Sequence, residues 1–405
     1  MTAPLQDVRV VEIAHFVAAP AGGALLADLG AQVIKVEIPQ GEVMRHSRPR
    51  HAGFRSDFPE APHFHMDNRG KRSLPLDLNR PEGLAALQRV IENADVVLTN
   101  MLPARLARFG LDAASLRARD PGLIVASLSG YGADGPEADT PAFDYTAYWA
   151  RTGLMDQMHE PDAAPAYLRP GVGDHAASLA LVTGILAALR VRERTGVGQE
   201  VEVNLMHLGF YVQGNDAAMT LTTGLEPPRH DRHQPRNPLW NHYQTQDDRW
   251  LFLVMIESDR YWPALCKALH HPEWEHDPRF AGAVPRYRNS EALTRLLAGT
   301  FRSQSLADWE MALGAAGLIW APVRTLGEAV EDPQAQAMGM FAEVHHAALP
   351  GLRTVTAPLR LSQWPMRGEL PAPPLGGDAE ALLREAGLGE EEIRGALAGP
   401  TPSSS

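Results

Sequence analysis

The first third of the chain predicts an α/β fold built on a mostly parallel sheet, and three observations carry that reading. Short β-branched or apolar runs recur at Val8 to Ile13, Val33 to Val36, Val96 to Leu98 and Leu123 to Leu128. Segments with helical spacing of apolar residues fall between them. No hairpin-length turn joins one run to the next, so the connections are crossovers, which are right-handed and give parallel pairing. Ligands of such sheets lie beyond the carboxyl ends of the strands.

The elements follow in order. Ala21 to Leu29 reads as a small-residue helix ended by Gly30. Pro81-Glu82-Gly83 opens another, with Leu84, Leu87, Val90 and Ile91 at three- and four-residue steps. After Gly171-Val172-Gly173 comes the longest helix candidate, Ala176 to about Arg194, apolar nearly all round at its start and basic at its end, before Gly196 and Gly198. Such a helix belongs inside a large domain or at a subunit interface. From about residue 215 the texture changes, and residues 226–238 form a proline-rich polar linker. A strand at Trp250 to Ile256 and helices near Tyr261, Glu291 and Leu306 then predict a smaller α+β domain. A second linker, Pro350 to Pro374, leads to a terminal amphipathic helix from Ala379 to about Leu397, and Thr401 to Ser405 is expected to fray. The expected domains are residues 1–214 with 326–405, and residues 225–325. A length of 405 residues itself favours two domains.

The net charge of −12 argues against nucleic-acid or anionic-membrane partners. It is unevenly distributed. Residues 1–110 hold 13 basic and 12 acidic side chains, leaving 24 against 37 for the remainder. Within residues 45–80, Arg45, Arg48, Arg50, Arg55, Arg69, Lys71, Arg72 and Arg80 face only four acidic residues. That excess is either a solvated surface or a phosphate-binding one. A single cysteine, Cys266, excludes a disulfide framework and reads as core. Asp7, Arg9, Glu12 and Asp28 interrupt any signal-peptide core, and the uncharged stretch Ser178 to Leu189 is shorter than the roughly 20 residues that span a bilayer. A cytoplasmic, reducing setting is expected.

Several chemistries can be weighed against the residues. A nicotinamide dehydrogenase would use the first strand-helix turn and Glu37 as ribose acid, but the turn from Ala14 to Gly23 lacks the G-x-G-x-x-G that lets a pyrophosphate approach. The histidine pairs 63/65, 230/233, 270/271 and 345/346 lack the spacing of a metal motif, so no metal site is expected. No G-x-S-x-G elbow occurs. Asp174 remains, between a Gly-flanked turn and the long helix. It suits an N-cap, and equally a carboxylate nucleophile with little steric cover at the positive end of a helix. The two roles are compatible.

An ordered set of segments resembles the family III CoA-transferases, the superfamily of formyl-CoA and carnitine CoA-transferases. These segments are Leu5 to Glu12, Leu29 to Glu37, Asn68-Arg69-Gly70-Lys71-Arg72-Ser73, Pro81-Glu82-Gly83, Ala94-Asp95-Val96-Val97, Ala126 to Gly132, Gly184 to Leu189 with Thr195 to Gln199, Ala372 to Gly376, and Leu388 to Ile393. The resemblance implies a Rossmann-like large domain, a smaller inserted domain and an interlocked homodimer. It implies exchange of CoA between carboxylic acids, with coenzyme A as acyl-CoA co-substrate and Asp174 as nucleophile, through an aspartyl anhydride and an aspartyl-CoA thioester. By the same resemblance, Val17 and Ala18 offer backbone to CoA and Leu76 to Asn79 line the adenosine. Asn100, Met101 and Leu102 form the neighbouring loop, Arg108 meets a phosphate, and Phe143 and Tyr145 lie along the pantetheine.

The chain also departs from the family's pattern. Ile38 stands where an arginine occurs and Asn79 where a lysine can, so Arg45, Lys71 or Arg72 is expected to supply the charge. No Gly-rich shielding loop is evident between residues 240 and 265. The related α-methylacyl-CoA racemases carry Gly-His-Asp where this chain has Ala142-Phe143-Asp144, so a two-base proton shuttle would lack its histidine. A racemase-like isomerase and an idle CoA-binding homologue are the alternatives. The His175 side of Asp174 and the segment Trp240 to Tyr243 are candidate walls of an acid pocket.

Overall fold

Six parallel strands form the main sheet of the computed structural model, which describes residues 2–47, 61–347 and 349–398. They are β1 (Arg9–Ile13), β2 (Gln32–Glu37), β3 (Arg72–Pro75), β4 (Val96–Thr99), β5 (Ile124–Ser129) and β6 (Glu200–Asn204). Their order is β3-β2-β1-β4-β5-β6, with every neighbouring pair parallel. The central strands are continuous apolar runs because helices cover both faces. Val10 and Val96 join the core that contains Leu181 and Ile185 of the helix Val172–Thr195, whereas Val11 and Val97 face the opposite core, with Leu87 and Val90 of the helix Pro81–Ile91. Side chains thus alternate between two helical layers with the strand period of two. Each fully buried leucine in these layers contributes about 1.5–3 kcal/mol.

The two edge strands, β3 and β6, have no counterpart among the expected apolar runs. Arg72-Ser73-Leu74-Pro75 is short and proline-ended, and Glu200-Val201-Glu202-Val203-Asn204 alternates charge with valine. An edge strand has one unpaired side and tolerates proline and charge, so neither shows the apolar density of a central strand.

Three helices differ from expectation at their ends. The first runs from Ala18 to Asp28, starting earlier because Pro20 is compatible with a first turn. The terminal one is two helices, Ala379–Glu385 and Glu390–Leu397, parted where Gly387 takes φ +82°. The long helix runs from Val172 to Thr195, so Gly171, at φ +81°, is its N-cap and Asp174 lies inside the first turn. The N-cap role expected for Asp174 is therefore corrected. This helix is long and apolar enough to match a membrane span by length and composition, although its Leu181 and Ile185 lie in the sheet core.

The chain divides into two units. The first comprises residues 1–155, 167–225 and 336–405 and holds the parallel sheet; the second comprises residues 156–166 and 226–335. In the second, an antiparallel sheet of Trp240–Gln244, Trp250–Val254 and Trp320–Pro322 packs with helices Ser258–Ala268, Ser290–Phe301 and Leu306–Ala315 around Leu253, Leu297, Phe301 and Trp309. Cys266 is buried in this core. Residues 156–166 belong there because Asp156 pairs with Arg229 and Glu160 with Arg232. Asn241 and Tyr243 are likewise interior to the second unit.

Candidate active site

The strand order reverses direction between β1 and β4, and a cavity of about 410 Å³ opens at that end of the sheet. This is the switch-point position at which doubly wound sheets bind ligands. Ile13 to Phe16 after β1, Val36 to Ile38 at the end of β2, Leu76 to Asn79 after β3, and Met101 and Arg105 after β4 line it, with Glu42 and Val43. Asn100 fixes the β1 end, accepting the His15 N–H at 3.2 Å and donating to the His15 carbonyl at 2.7 Å. Phe16 adopts φ +66°, a left-handed conformation rare for an aromatic residue, and its N–H donates to Glu42 Oε2 at 2.9 Å. His15 is held below its ordinary range by burial, then by Lys35 and Arg105, so the imidazole facing the cavity is neutral at pH 7.

Beneath the cavity lies a buried ionic cluster. Glu12 Oε1 accepts from Lys35 Nζ at 3.1 Å and Glu12 Oε2 pairs with Lys71 Nζ at 2.7 Å; Lys35 also reaches Glu42 at 3.0 Å. Gly23 is needed here, since a Cβ would stand 1.9 Å from Glu12 Oε2. Glu37, the acid of the dehydrogenase reading, is occupied by Arg45 at 2.6 Å, Ser73 Oγ at 2.8 Å and the Glu42 N–H at 3.2 Å, leaving it committed to structure.

These contacts correct the expected source of positive charge. Lys71 spends its ammonium on Glu12, the Pro20 and Asp67 carbonyls and Asn68 Oδ1, and does not line the cavity. Arg72 turns to Glu385 at 2.9 Å and to Asp378. Arg45 pairs with Glu37 and lies over the Phe64 ring. Arg69 is held by Asp28, and Arg80 by Glu82 and the Ala398 carbonyl. The basic excess of residues 45–80 is thus cancelled by carboxylates from elsewhere in the chain wherever it is described; Arg48, Arg50 and Arg55 lie outside the described residues, as does the 401–405 tail. Among the described residues, the cation on the cavity wall is Arg105, with Arg108 donating to Asn79 Oδ1 at 3.2 Å beside it.

Asp174 occupies the first turn of the long helix, half-buried. Helix N-termini leave free N–H groups, and here Asp144 serves one: its Oδ2 accepts the Gly173 N–H at 3.3 Å. Gly173 permits the approach, because a Cβ there would stand 2.7 Å from the Tyr148 ring. Burial, then the neighbouring Asp144 charge, pushes the Asp174 carboxyl up to about 7, with His175 opposing and Asp67 adding to the rise. Asp144 is itself raised by burial. His175 meets Asp67 through Nε2 at 3.0 Å.

Of the expected residues, Leu76, Asn79 and Met101 line the cavity and Arg108 stands beside it. Val17 and Ala18 follow the wall residue Phe16, and Val17 lies beside Gly171. Phe143 is exposed and meets Phe16 edge-on at 5.3 Å, linking the cavity wall to the Asp144–Asp174 end. Tyr145 instead faces Tyr167 at 5.7 Å; Asn100 braces the wall residue His15, and Leu102 caps the following helix, its carbonyl accepting the Arg105 N–H at 3.0 Å. Sequence reasoning missed His15, Phe16, Arg105 and Asp67. The first two stand out in the sequence only as part of a turn without the G-x-G-x-x-G pattern, and Asp67 only as the residue before Asn68.

Fold and site together define a doubly wound α/β protein with its ligand cavity at the switch point and a helix-first-turn aspartate close by. The chain belongs to CoA-transferase family III, whose sequence pattern matches residues 5–379, and it is a CoA-transferase of that family. It is 31% identical over 390 residues to (R)-2-hydroxy-4-methylpentanoate CoA-transferase of Clostridioides difficile, covering 96% of this chain and 97% of that one. It is 32% identical over 388 residues to succinate–glutarate CoA-transferase of Agrobacterium fabrum, covering 94% and 95%. Among solved structures, a CAIB/BAIF family protein from Brucella suis superposes with a TM-score of 0.84 at 32% identity, covering 95% of this chain and all of that one.

Proposed function

We propose that this enzyme moves CoA between an acyl-CoA thioester and a carboxylic acid with Asp174 as the covalent nucleophile. The observation that carries the proposal is the Asp174 carboxylate itself, half-buried on a helix first turn with no hydrogen-bond donor among the described residues offsetting its burial. An Asp174 oxygen attacks the thioester carbonyl, the C–S bond breaks, and CoA leaves as thiolate with an aspartyl anhydride behind. The thiolate attacks the aspartyl carbonyl, releasing the donor acid as carboxylate and forming an aspartyl-CoA thioester. An acceptor carboxylate then attacks that thioester; the thiolate returns to the acceptor's acyl carbon and Asp174 is restored. Acid is exchanged for acid, so the overall reaction is nearly thermoneutral.

The cavity fits the nucleotide end of CoA. Ile13, Val36, Ile38 and Leu76 supply apolar wall for the adenine, and Arg105 with Arg108 supplies cations for phosphates in place of the expected Lys71 and Arg72. Phe143 extends the wall toward Asp174. No metal or nicotinamide enters this scheme, and acyl-CoA and the acid are the partners. The acid is of the kind handled by the relatives, a hydroxy acid or a dicarboxylic acid.

The interlocked homodimer belongs to the same proposal. The long helix leaves Leu179 and Leu186 exposed, and Phe210, Tyr211 and Leu221 of the following helices are exposed too, an apolar surface suited to a second copy. Light scattering at the mass of two chains is the expected result; a monomer would remove that part.

Incubation with acyl-CoA followed by hydroxylamine or borohydride, with peptide mapping, tests the mechanism. The adduct is expected on Asp174, and an adduct elsewhere, or none across a panel of acids, would overturn it. Solvent deuterium entering the α-carbon without CoA exchange would replace transfer by the racemase chemistry, which Phe143 cannot serve as a base.

A further inference from the structure

Asp174 sits among carboxylates, and a nucleophilic carboxylate has to be ionised. Asp144 lies on one side of it and Asp67 also acts on it, both unfavourably. Among the described residues, the opposing positive influence comes from its own neighbour in the chain, His175.

The ring of His175 is fixed by two elements far apart in sequence. Asp67, at the end of the helix Pro62–Asn68 and 3% exposed, meets Nε2 at 3.0 Å across 108 residues. On the other side the ring lies beside Gly171, whose carbonyl accepts the His175 main-chain N–H at 2.9 Å. An imidazole whose Nε2 meets a buried carboxylate is favoured in its charged form. His63, one helical turn before Asp67, also feels the Asp67 charge, but burial holds it below its ordinary range. It stays neutral and leaves that charge to His175. Tyr148, the remaining titratable group beside Asp144, is raised by burial and is uncharged at neutral pH.

We infer that Asp67 and His175 form a fixed imidazolium–carboxylate pair whose positive end favours the ionised form of the adjacent Asp174 against the repulsion of Asp144. Both are positioning residues, acting through Asp174 rather than on substrate. The inference rests on Asp174 being the nucleophile. The direction of the His175 shift agrees with the geometry: Asp67, Gly171 and Asp174 together outweigh the burial of the ring and raise it.

Two measurements on the full chain test this. Histidine NMR titration, with His175 assigned by its loss in His175→Gln, is expected to place His175 above the ordinary histidine range in the wild type and to show a fall toward or below that range in Asp67→Asn. The rate of Asp174 adduct formation with an acyl-CoA, followed against pH by mass spectrometry, is expected to have its acidic limb moved up by about one pH unit in His175→Gln and by less in Asp67→Asn, which also removes the smaller repulsion of Asp67. At a pH below the limb that is roughly a tenfold slower adduct. Asp67→Asn preserves shape and keeps the test open if His175→Gln folds poorly. An adduct whose limb ignores both substitutions, or a His175 that titrates in the ordinary range whatever stands at 67, overturns the charge pair alone. Absence of any Asp174 adduct in the wild type overturns the nucleophile instead, and the pair's assigned task with it.

Discussion

The Asp144 carboxylate reaches across 29 residues to take the Gly173 N–H at 3.3 Å, and in doing so it places a second negative charge beside Asp174. One side chain thus caps the long helix and raises its neighbour's affinity for a proton. Asparagine at 144 can still accept that N–H but carries no charge. Asp144→Asn is therefore expected to move the acidic limb of activity to lower pH, opposite to the variants of the Asp67–His175 pair, with little change in melting temperature. Asp144→Ala loses the cap as well, at a cost of about 1 kcal/mol in denaturant titration.

Asp174→Asn should abolish the covalent adduct and at the same time stabilise the fold. An acid whose folded pKa lies near 7, above its unfolded value, binds its proton more tightly when folded. Its contribution to stability is therefore lost as pH rises from about 4 to about 7, and the ionised group is a net cost above that window. Discounted for partial exposure, the gain in Asp174→Asn at pH 8 is on the order of 1 kcal/mol, and it should vanish near pH 4. Thermal melts of both proteins at the two pH values check the sign.

Glu12 binds two buried ammonium groups at once. Glu12→Gln leaves Lys35 and Lys71 without that charge in the interior and is expected to cost about 3–5 kcal/mol, read from urea midpoints. Loss of CoA binding should accompany it, since Lys35 also holds the Ala14 carbonyl at 3.2 Å on the cavity wall.

Arg105→Ala should weaken CoA binding by about tenfold, as expected for one charge-assisted phosphate contact, and flatten its salt dependence. The same substitution removes a cation that depresses His15, so the His15 titration should move up in the absence of any ligand. Calorimetry and NMR report the two effects separately.

Cys266 is fully buried, and burial pushes its thiol up to about 12. A thiol reagent at pH 8 is expected to leave the native protein unlabelled and to modify one cysteine per chain only after denaturation. Rapid labelling without loss of structure would contradict its place in the core.

What could be read in advance follows from how each feature is encoded. The β-branched runs of β1, β2, β4 and β5 declare themselves because they are buried on both faces, and the switch point follows from their alternation with helices. The edge strands do not, because exposure on one side lets Arg72, Pro75, Glu200 and Glu202 stand in them. Asp174 was legible as a Gly-flanked carboxylate, although the start of its helix was placed four residues late. The partner of Lys71 is not legible, because a positive residue does not announce which carboxylate it will meet, and Glu12 is 59 positions away. His175 and Asp67 illustrate the same limit from the other direction: neither spacing nor composition joins residues brought together only by packing the helix Pro62–Asn68 near the start of the long helix.

The β3 edge of the sheet has a further consequence for how the enzyme is made. Ser73 N–H donates to Asp378, the Gly376 N–H donates to Ser73 Oγ, Arg72 pairs with Glu385, and Arg45 reaches the Pro373 carbonyl. The wall built first during synthesis is fastened by residues translated about 300 positions later. A nascent chain carrying every cavity residue therefore still has an unfastened β3 edge, open to wrong pairing until residues 373–385 have left the ribosome. Assembly of the binding site thus waits on chain made long after the site's own residues.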